Sequence, residues 1–372
     1  MKVLMCFGTR PEAIKMAPLY IYLKSRQTLE LKLCVTAQHR QMLDQVLDFF
    51  EIIPDFDLDL MQKNQSLNQL ASKIIYSIDE VLVNFQPEYV LVHGDTTTSS
   101  MVALAAFHRG IKVGHVEAGL RTYNKLSPFP EEINRQITGR IADLHFAPTI
   151  WSGQNLLNEG VKSEEMVVTG NTVIDALNLG LEKIKNGYTC LDIERLNDII
   201  IPNAKIILIT GHRRENFGDG FENLCNAIKQ IATDFHDVQI IYPVHLNPNV
   251  QEPVNRILSN LKNVFLISPL DYPSFIYAMD QSYFILTDSG GVQEEAPTLG
   301  KPVLVMRNNT ERPEAVKAGT VKLVGTNYES IVNACKELLL NNEAYLKMSR
   351  SHNPYGDGFA CERIYNKLIF PK

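Results

Sequence analysis

The chain lacks any excess of positive charge: 36 lysines and arginines face 42 aspartates and glutamates, a formal charge of −6 at pH 7. No bulk positive field gathers a nucleic-acid backbone or an anionic membrane, so neither is an expected partner and any phosphate must be held by local groups. Long apolar runs are missing as well. The opening stretch Met1 to Arg10 is apolar only briefly before Gly8 and Thr9, too short for a signal peptide or a membrane span, and no later stretch is long enough. A cytoplasmic protein is expected. The six cysteines (Cys6, Cys34, Cys190, Cys225, Cys335, Cys361) include no C-x-x-C pair, which speaks against a zinc or redox site and for small buried apolar side chains. No metal is expected. Two nucleotide motifs are absent: FGTRPEA offers only Gly8 where G-x-G-x-x-G would follow the first strand, and no G-x-x-x-x-G-K-[ST] occurs. Ordinary NAD enzymes and P-loop NTPases become poor readings, and no cofactor is expected.

What is present is an ordinary globular balance, 45% apolar and 21% charged, in 372 residues, more than one hydrophobic core usually serves. Short β-branched runs alternate with helical patterns, the rhythm of a parallel sheet covered on both faces. Strands are expected at 1–7, 31–36, 89–93, 112–116 and 144–147, with helices at 13–26, 67–85 and 98–109. A strand near 167–172 passes into a Gly-Asn turn, and from Lys205 the pattern restarts with strands at 206–210, 238–243, 264–267, 283–287 and 302–305. Two Rossmann-like α/β domains follow, 1–170 with 356–372, and 171–355, the last helix crossing back to the first domain after Pro354, Gly356 and Gly358.

In open α/β sheets ligands bind beyond the carboxyl ends of the strands. There the chain places Gly8 to Glu12; Gly94, Asp95 and three threonines; Glu117 to Arg121; and a loop leading to Glu131 and Glu132. Asp95, Glu117 and Glu131 are candidates to converge, and converging carboxylates shift one another's pKa in a way suited to acid and base work. Each has a plainer reading: Asp95 as a helix cap, Glu117 as a solvated loop charge, Glu131 and Glu132 as partners of a helix dipole. The restart supplies cations, His212, Arg213 and Arg214 before Glu215 and Asn216, which suit an anion because arginine offers planar multidentate donors. Thr287, Asp288, Ser289, Gly290 and Gly291 enter a helix, where glycines let a phosphate approach backbone N–H groups, or simply permit a tight turn. Glu295, one turn further, could accept from ribose hydroxyls, and Arg307 and Arg312 add positive charge to that edge.

Taken jointly and in order, FGTRPEAIKMAP, VHGDTTT, GHVEAGLRT, SPFPEEINRQ, GHRREN, YPVHLNP, DSGGVQEEAPTLGKPV, ERPEA and PYGDGFACERI resemble the non-hydrolysing bacterial UDP-N-acetylglucosamine 2-epimerases. The resemblance implies two facing Rossmann-like domains, as in glycosyltransferases of the GT-B kind, with the nucleotide between them. It implies Asp95, Glu117, Glu131 and His212 as the catalytic set, and Arg10, Lys15, Arg213, Phe275, Ser289, Gly290, Gly291, Glu295 and Arg312 as substrate contacts. It also implies a homodimer, and a second UDP-N-acetylglucosamine bound as activator near Gln41, Arg213 and His245. Two places depart from the family pattern: Arg307-Asn308-Asn309-Thr310 replaces Arg-Asp-Thr-Thr, and Lys73 stands where arginine is expected.

Carbon 2 of such a sugar has no neighbouring carbonyl to make its hydrogen acidic. Either a nicotinamide oxidises the sugar transiently, or UDP departs from carbon 1 and the developing positive charge acidifies the neighbouring hydrogen. The absent dinucleotide motif favours departure, with UDP-N-acetylmannosamine formed through 2-acetamidoglucal. The alternatives are a hydrolysing epimerase releasing N-acetylmannosamine and UDP, a glycosyltransferase, or a catalytically silent nucleotide-sugar sensor.

Overall fold

A computed structural model describes residues 1–37, 40–62, 64–213, 216–310 and 312–370. The chain divides into two compact units, Met1–Leu179 with Tyr355–Lys372, and Gly180–Pro354.

The first unit runs β1 (Lys2–Phe7), α1 (Arg10–Lys24), β2 (Glu30–Val35), α2 (Arg40–Phe49), β3 (Phe56–Asp57), α3 (Leu67–Phe85), β4 (Tyr89–His93), α4 (Thr97–His108), β5 (Lys112–Val116), α5 (Glu131–Ile141), β6 (Leu144–Ala147), α6 (Ile150–Asn158) and β7 (Met166–Val168), and enters α7 (Thr172–Lys185). Its seven strands lie in the order β3-β2-β1-β4-β5-β6-β7, every pair parallel. Parallel strands covered on both faces need apolar side chains on both, and β1 accordingly buries Val3 through Phe7. Leu4, Val90 and Val92 from β1 and β4 pack with Ile74, Ile78 and Leu82 of α3 and Val102 and Ala106 of α4 in one core. Fully burying one such side chain contributes roughly 1.5–3 kcal/mol.

The second unit takes over within α7 and continues α8 (Leu191–Ile199), β8 (Lys205–Thr210), α9 (Asp219–Asp234), β9 (Val238–Pro243), α10 (Pro248–Leu258), β10 (Val264–Ile267), α11 (Tyr272–Gln281), β11 (Phe284–Thr287), α12 (Gly290–Glu295), β12 (Val303–Val305), α13 (Pro313–Ala318), β13 (Val321–Leu323), α14 (Tyr328–Leu340) and α15 (Asn342–Ser349). Its six parallel strands are ordered β10-β9-β8-β11-β12-β13 around a core that includes Ile207, Phe221, Ile240, Phe284 and Ile331. The chain then returns to the first unit as α16 (Ala360–Ile369), which packs on α1 with Tyr365 edge-on to Tyr22 at 5.9 Å. The turn before α7 and the returning loop nearly touch: a Cβ on Gly170 would lie 3.2 Å from Gly356 Cα, and both glycines have positive φ. Asp175 on α7 accepts the backbone N–H groups of Ala360 and Cys361 at 3.3 and 3.0 Å.

Two parallel sheets flanked by helices match the expected α/β class. α1 begins at Arg10 rather than Ala13, because Thr9 and Glu12 form a capping box with Pro11 in the first turn. The strands β3 and β13, two and three residues long, carry no pattern a sequence could announce. Among the described residues no helix is long and apolar enough to cross a membrane, and no cluster of histidine, cysteine and carboxylate side chains is fit to hold a metal.

Candidate active site

In both sheets the chain order reverses at an internal strand pair, β1 beside β4 and β8 beside β11. The carboxyl ends at such a reversal splay apart and leave room for a ligand. The candidate residues collect at these two places.

In the first unit, Glu117 follows β5 directly and has φ of +62°, a left-handed conformation that costs a non-glycine residue energy and places its side chain inward. The carboxylate is nearly buried, with 9% of the side chain exposed, and it is not a solvated loop charge. Its Oε2 is ion-paired with Lys15 of α1, accepts Asn171 Nδ2 at 2.8 Å, and lies 3.8 Å from Nε2 of His93. Burial pushes the Glu117 carboxyl up, but Lys15, His93 and Asn171 together outweigh it and hold it at about 2. Burial holds His93 down at about 4, so the ring is neutral at pH 7, and its Nε2 has no hydrogen-bond partner.

Asp95 sits one residue beyond Gly94, whose positive φ turns the chain out of β4. The cap of α4 is Thr96, which accepts Ser99 N at 3.1 Å, so Asp95 is not spent as a cap. Asp95 is instead ion-paired with Arg135 of α5. The turn is clipped to β5 from both sides, Gly94 N to Val116 O at 2.9 Å and His115 Nε2 to Gly94 O at 2.7 Å, which fixes Asp95 relative to Glu117. Glu12 ties the β1 turn in as well: buried, it accepts the Gly8 and Thr9 backbone N–H groups at 3.0 and 2.8 Å and the Thr96 hydroxyl at 2.7 Å.

Glu131 is the first residue of α5 and half-buried; its neighbour Glu132 is fully buried. Glu132 accepts backbone N–H from Thr122 and Tyr123, both at 3.0 Å, and Gln136 Nε2 at 2.8 Å. Burial opposes the charge on Glu132, but these donors and Arg135 outweigh it and keep the carboxyl below its ordinary value. Glu132 thereby folds the loop after β5 back onto the start of α5 and positions Glu131. Arg10 opens α1, half-exposed, and Gln41 is exposed on α2.

In the second unit the organising group is Asp288, after β11. Its Oδ2 accepts the backbone N–H of His212 at 2.9 Å and of Arg213 at 2.8 Å, while its carbonyl accepts Arg213 Nε at 3.1 Å. His212 stacks on His245 with ring centroids 5.4 Å apart and planes 16° apart. Ser289 is the residue before α12, and Gly290 and Gly291 begin it. A Cβ on Gly290 would lie 2.6 Å from the Arg312 guanidinium, so only glycine lets that cation rest against the helix start. Arg312 is held there by Glu294 at 2.6 Å, and Thr310 accepts Arg312 N at 3.1 Å while donating to Gln293 at 2.8 Å. A helix start beside a guanidinium is a place for phosphate oxygens. Phe275 is half-buried on α11, and Tyr272 of the same helix donates to Glu295 at 3.3 Å. Arg214, Glu215 and Glu311 lie outside the described residues.

His93, His115, Asn171 and Asp288 join the candidate residues through contacts that the sequence does not announce. Asn171 had a weak signal, the polar residue of a Gly-Asn turn at a strand end; Asp288 lay within a motif read only for its glycines. His93 and His115 looked like ordinary strand residues, since only the packing reveals what they touch.

The protein-family model described as UDP-N-acetylglucosamine 2-epimerase matches residues 22–369. The UDP-N-acetylglucosamine 2-epimerase of Campylobacter jejuni is 57% identical over 99% of this chain and 97% of its own length. The crystal structure of UDP-GlcNAc 2-epimerase from Neisseria meningitidis, bound to UDP-GlcNAc, superimposes with a TM-score of 0.90 at 52% identity, covering 99% of this chain and 100% of that one. The enzyme from Methanocaldococcus jannaschii, in complex with UDP-GlcNAc and UDP, gives 0.79 at 32% identity over the whole of both chains.

Proposed function

The chain belongs to the UDP-N-acetylglucosamine 2-epimerase family, and we propose from that premise that it interconverts UDP-N-acetylglucosamine and UDP-N-acetylmannosamine without hydrolysis. The bond from carbon 1 to the β-phosphate oxygen breaks, its electron pair leaving with UDP. A carboxylate takes the proton from carbon 2, and a carbon 1–carbon 2 double bond forms, giving 2-acetamidoglucal. Return of UDP to carbon 1, with a proton delivered to the opposite face of carbon 2, completes the inversion.

The observation that carries this reading is the trapped carboxylate of Glu117, buried and held ionised at the end of β5, next to the sheet reversal. Positive charge developing at carbon 1 needs an anion beside it, and an ionised group fixed in advance supplies that with no reorganisation. Glu117 takes the carbon 2 proton once the substrate competes for Lys15, Glu131 serves the opposite face, and Asp95, paired with Arg135, orients or shares that transfer. His212 protonates or stabilises the departing phosphate, with Arg213, Arg312 and the start of α12 at Ser289 to Gly291 as anion donors. Arg10 and Lys15 bind from the first unit, and Phe275 and Glu295 receive the uridine and ribose.

The reading extends to a cytoplasmic homodimer whose turnover is raised by a second UDP-N-acetylglucosamine near Gln41, Arg213 and His245. The stacking of His245 on His212 supports a link between such an activator and the phosphate end of the site.

Turnover in deuterium oxide tests the chemistry. UDP-N-acetylmannosamine carrying deuterium at carbon 2 is expected. Unlabelled product would overturn the elimination, free N-acetylmannosamine as the main product would establish the hydrolysing route, and no turnover at all would leave a nucleotide-sugar sensor.

A further inference from the structure

We propose that Asp288 is the positioning partner of His212: its Oδ1 takes the hydrogen of His212 Nδ1, which leaves Nε2 as the atom that exchanges a proton with the departing diphosphate. The proposal rests on the part given to His212 above. Asp288 has no accessible surface at all, and its Oδ2 is engaged by the backbone N–H groups of His212 at 2.9 Å and Arg213 at 2.8 Å, with Asn216 Nδ2 at 3.4 Å. These contacts fix the plane of the carboxylate. The other oxygen, Oδ1, is buried without a hydrogen-bond partner and lies 3.6 Å from His212 Nδ1. A buried carboxylate oxygen is seldom left unsatisfied. The gap exceeds a made hydrogen bond, yet contacts of this kind commonly tighten when substrate binds.

The backbone N–H and the ring Nδ1 of one residue thus meet the two oxygens of one carboxylate, which couples the position of the strand-end turn to the tautomer of the ring. Four influences meet on His212: burial pushes its imidazolium down, Asp288 draws it back up, and stacked His245 and neighbouring Arg213 push it down. Without the carboxylate every remaining influence disfavours the protonated ring. Asp288 is therefore the group that keeps a proton available for the phosphate oxygen, and the same proton returns to Nε2 when UDP adds back.

Asp288→Asn retains an oxygen for the two backbone N–H groups but cannot balance an imidazolium. Its kcat should fall about a hundredfold, as for loss of a general acid, with KM within about threefold. The alkaline limb of the kcat profile should move down by about one pH unit, since removing the nearby anion lowers the His212 pKa. In a His212→Gln background the same change should add no more than about a twofold loss, because the two residues act as one unit. An unmoved limb, or a full further loss in that background, would overturn the dyad. His212→Gln turning over like the parent enzyme would instead overturn the part given to His212. Nitrogen-15 shifts of the parent protein supply a measurement free of any variant: the neutral His212 ring should carry its hydrogen on Nδ1, and an Nε2–H ring would refute the pairing.

Discussion

The two units use the same strand-end device for opposite purposes. In the first, the acidic groups are locked: Glu117 is trapped among Lys15, Asn171 and His93, Asp95 is paired with Arg135, and Glu12 stitches two turns together. In the second, His212 is left accessible, with 48% of its side chain exposed above a fully buried Asp288. The contrast fits the part proposed for each end. A carboxylate meeting charge in a transition state gains most when it is fixed beforehand, whereas a phosphate that leaves and returns needs donors it can reach and release.

The largest expected break in this comparison is Glu117→Gln. Turnover should drop about a thousandfold, in the range for loss of an acid–base group, while calorimetry with UDP gives an affinity close to the parent's. A variant that loses UDP affinity and keeps its turnover would show that the division of labour is wrong.

Acid should separate the units next. Burial holds His93 at about 4, His115 at about 3 and His145 at about 4, all within the first sheet. Their folded values lie below the ordinary 6.5, so the unfolded chain binds protons first as pH falls; the stability they contribute is complete above about 6.5 and is lost on the way down to about 4 and 3. Each pH unit in that window costs up to about 1.4 kcal/mol per histidine. Hydrogen exchange followed by mass spectrometry at pH 7 and pH 5 should show β4, β5 and β6 losing protection ahead of β8, β9 and β11; the reverse order would contradict it.

Gly290→Ala sharpens the other side. The added methyl would lie 2.6 Å from the Arg312 guanidinium, which must shift away from the helix start. UDP affinity should weaken about tenfold, or 1.4 kcal/mol, with the circular dichroism spectrum unchanged. The smallest effect is expected from Tyr272→Phe, which removes the 3.3 Å hydrogen bond to Glu295. One such bond is worth about 0.5–1.5 kcal/mol net, so KM should rise by about threefold.

Much of this was legible in the sequence. The strands β4, β5, β6, β9 and β10 and the helix α3 span the very residues their apolar patterns indicate, because buried parallel strands and a well-capped amphipathic helix leave strong local signals. The strand-end position of Asp95, Glu117, His212 and Ser289 followed from the same periodicity. What stayed hidden is what depends on distance along the chain. Asn171 reaches Glu117 across 54 positions and Asp288 reaches His212 across 76, and no local pattern encodes such pairs. The start of α1 is a different case: the Thr9 and Glu12 capping box is present in the letters, but the strand-end rule assigns the same residues to a loop and competes with it.

The close approach of Gly170 to Gly356, with Asp175 taking the amides of residues 360 and 361, also sets an order of assembly during synthesis. The first sheet leaves the ribosome early, but α16, which covers α1, is translated after every strand of the second unit. Until then Asp175 lacks the amides of residues 360 and 361 and α1 lacks its cover. The nascent first half must wait, incompletely wrapped, while a whole second core forms, and this interval is where a chaperone or an aggregation event would have its opportunity.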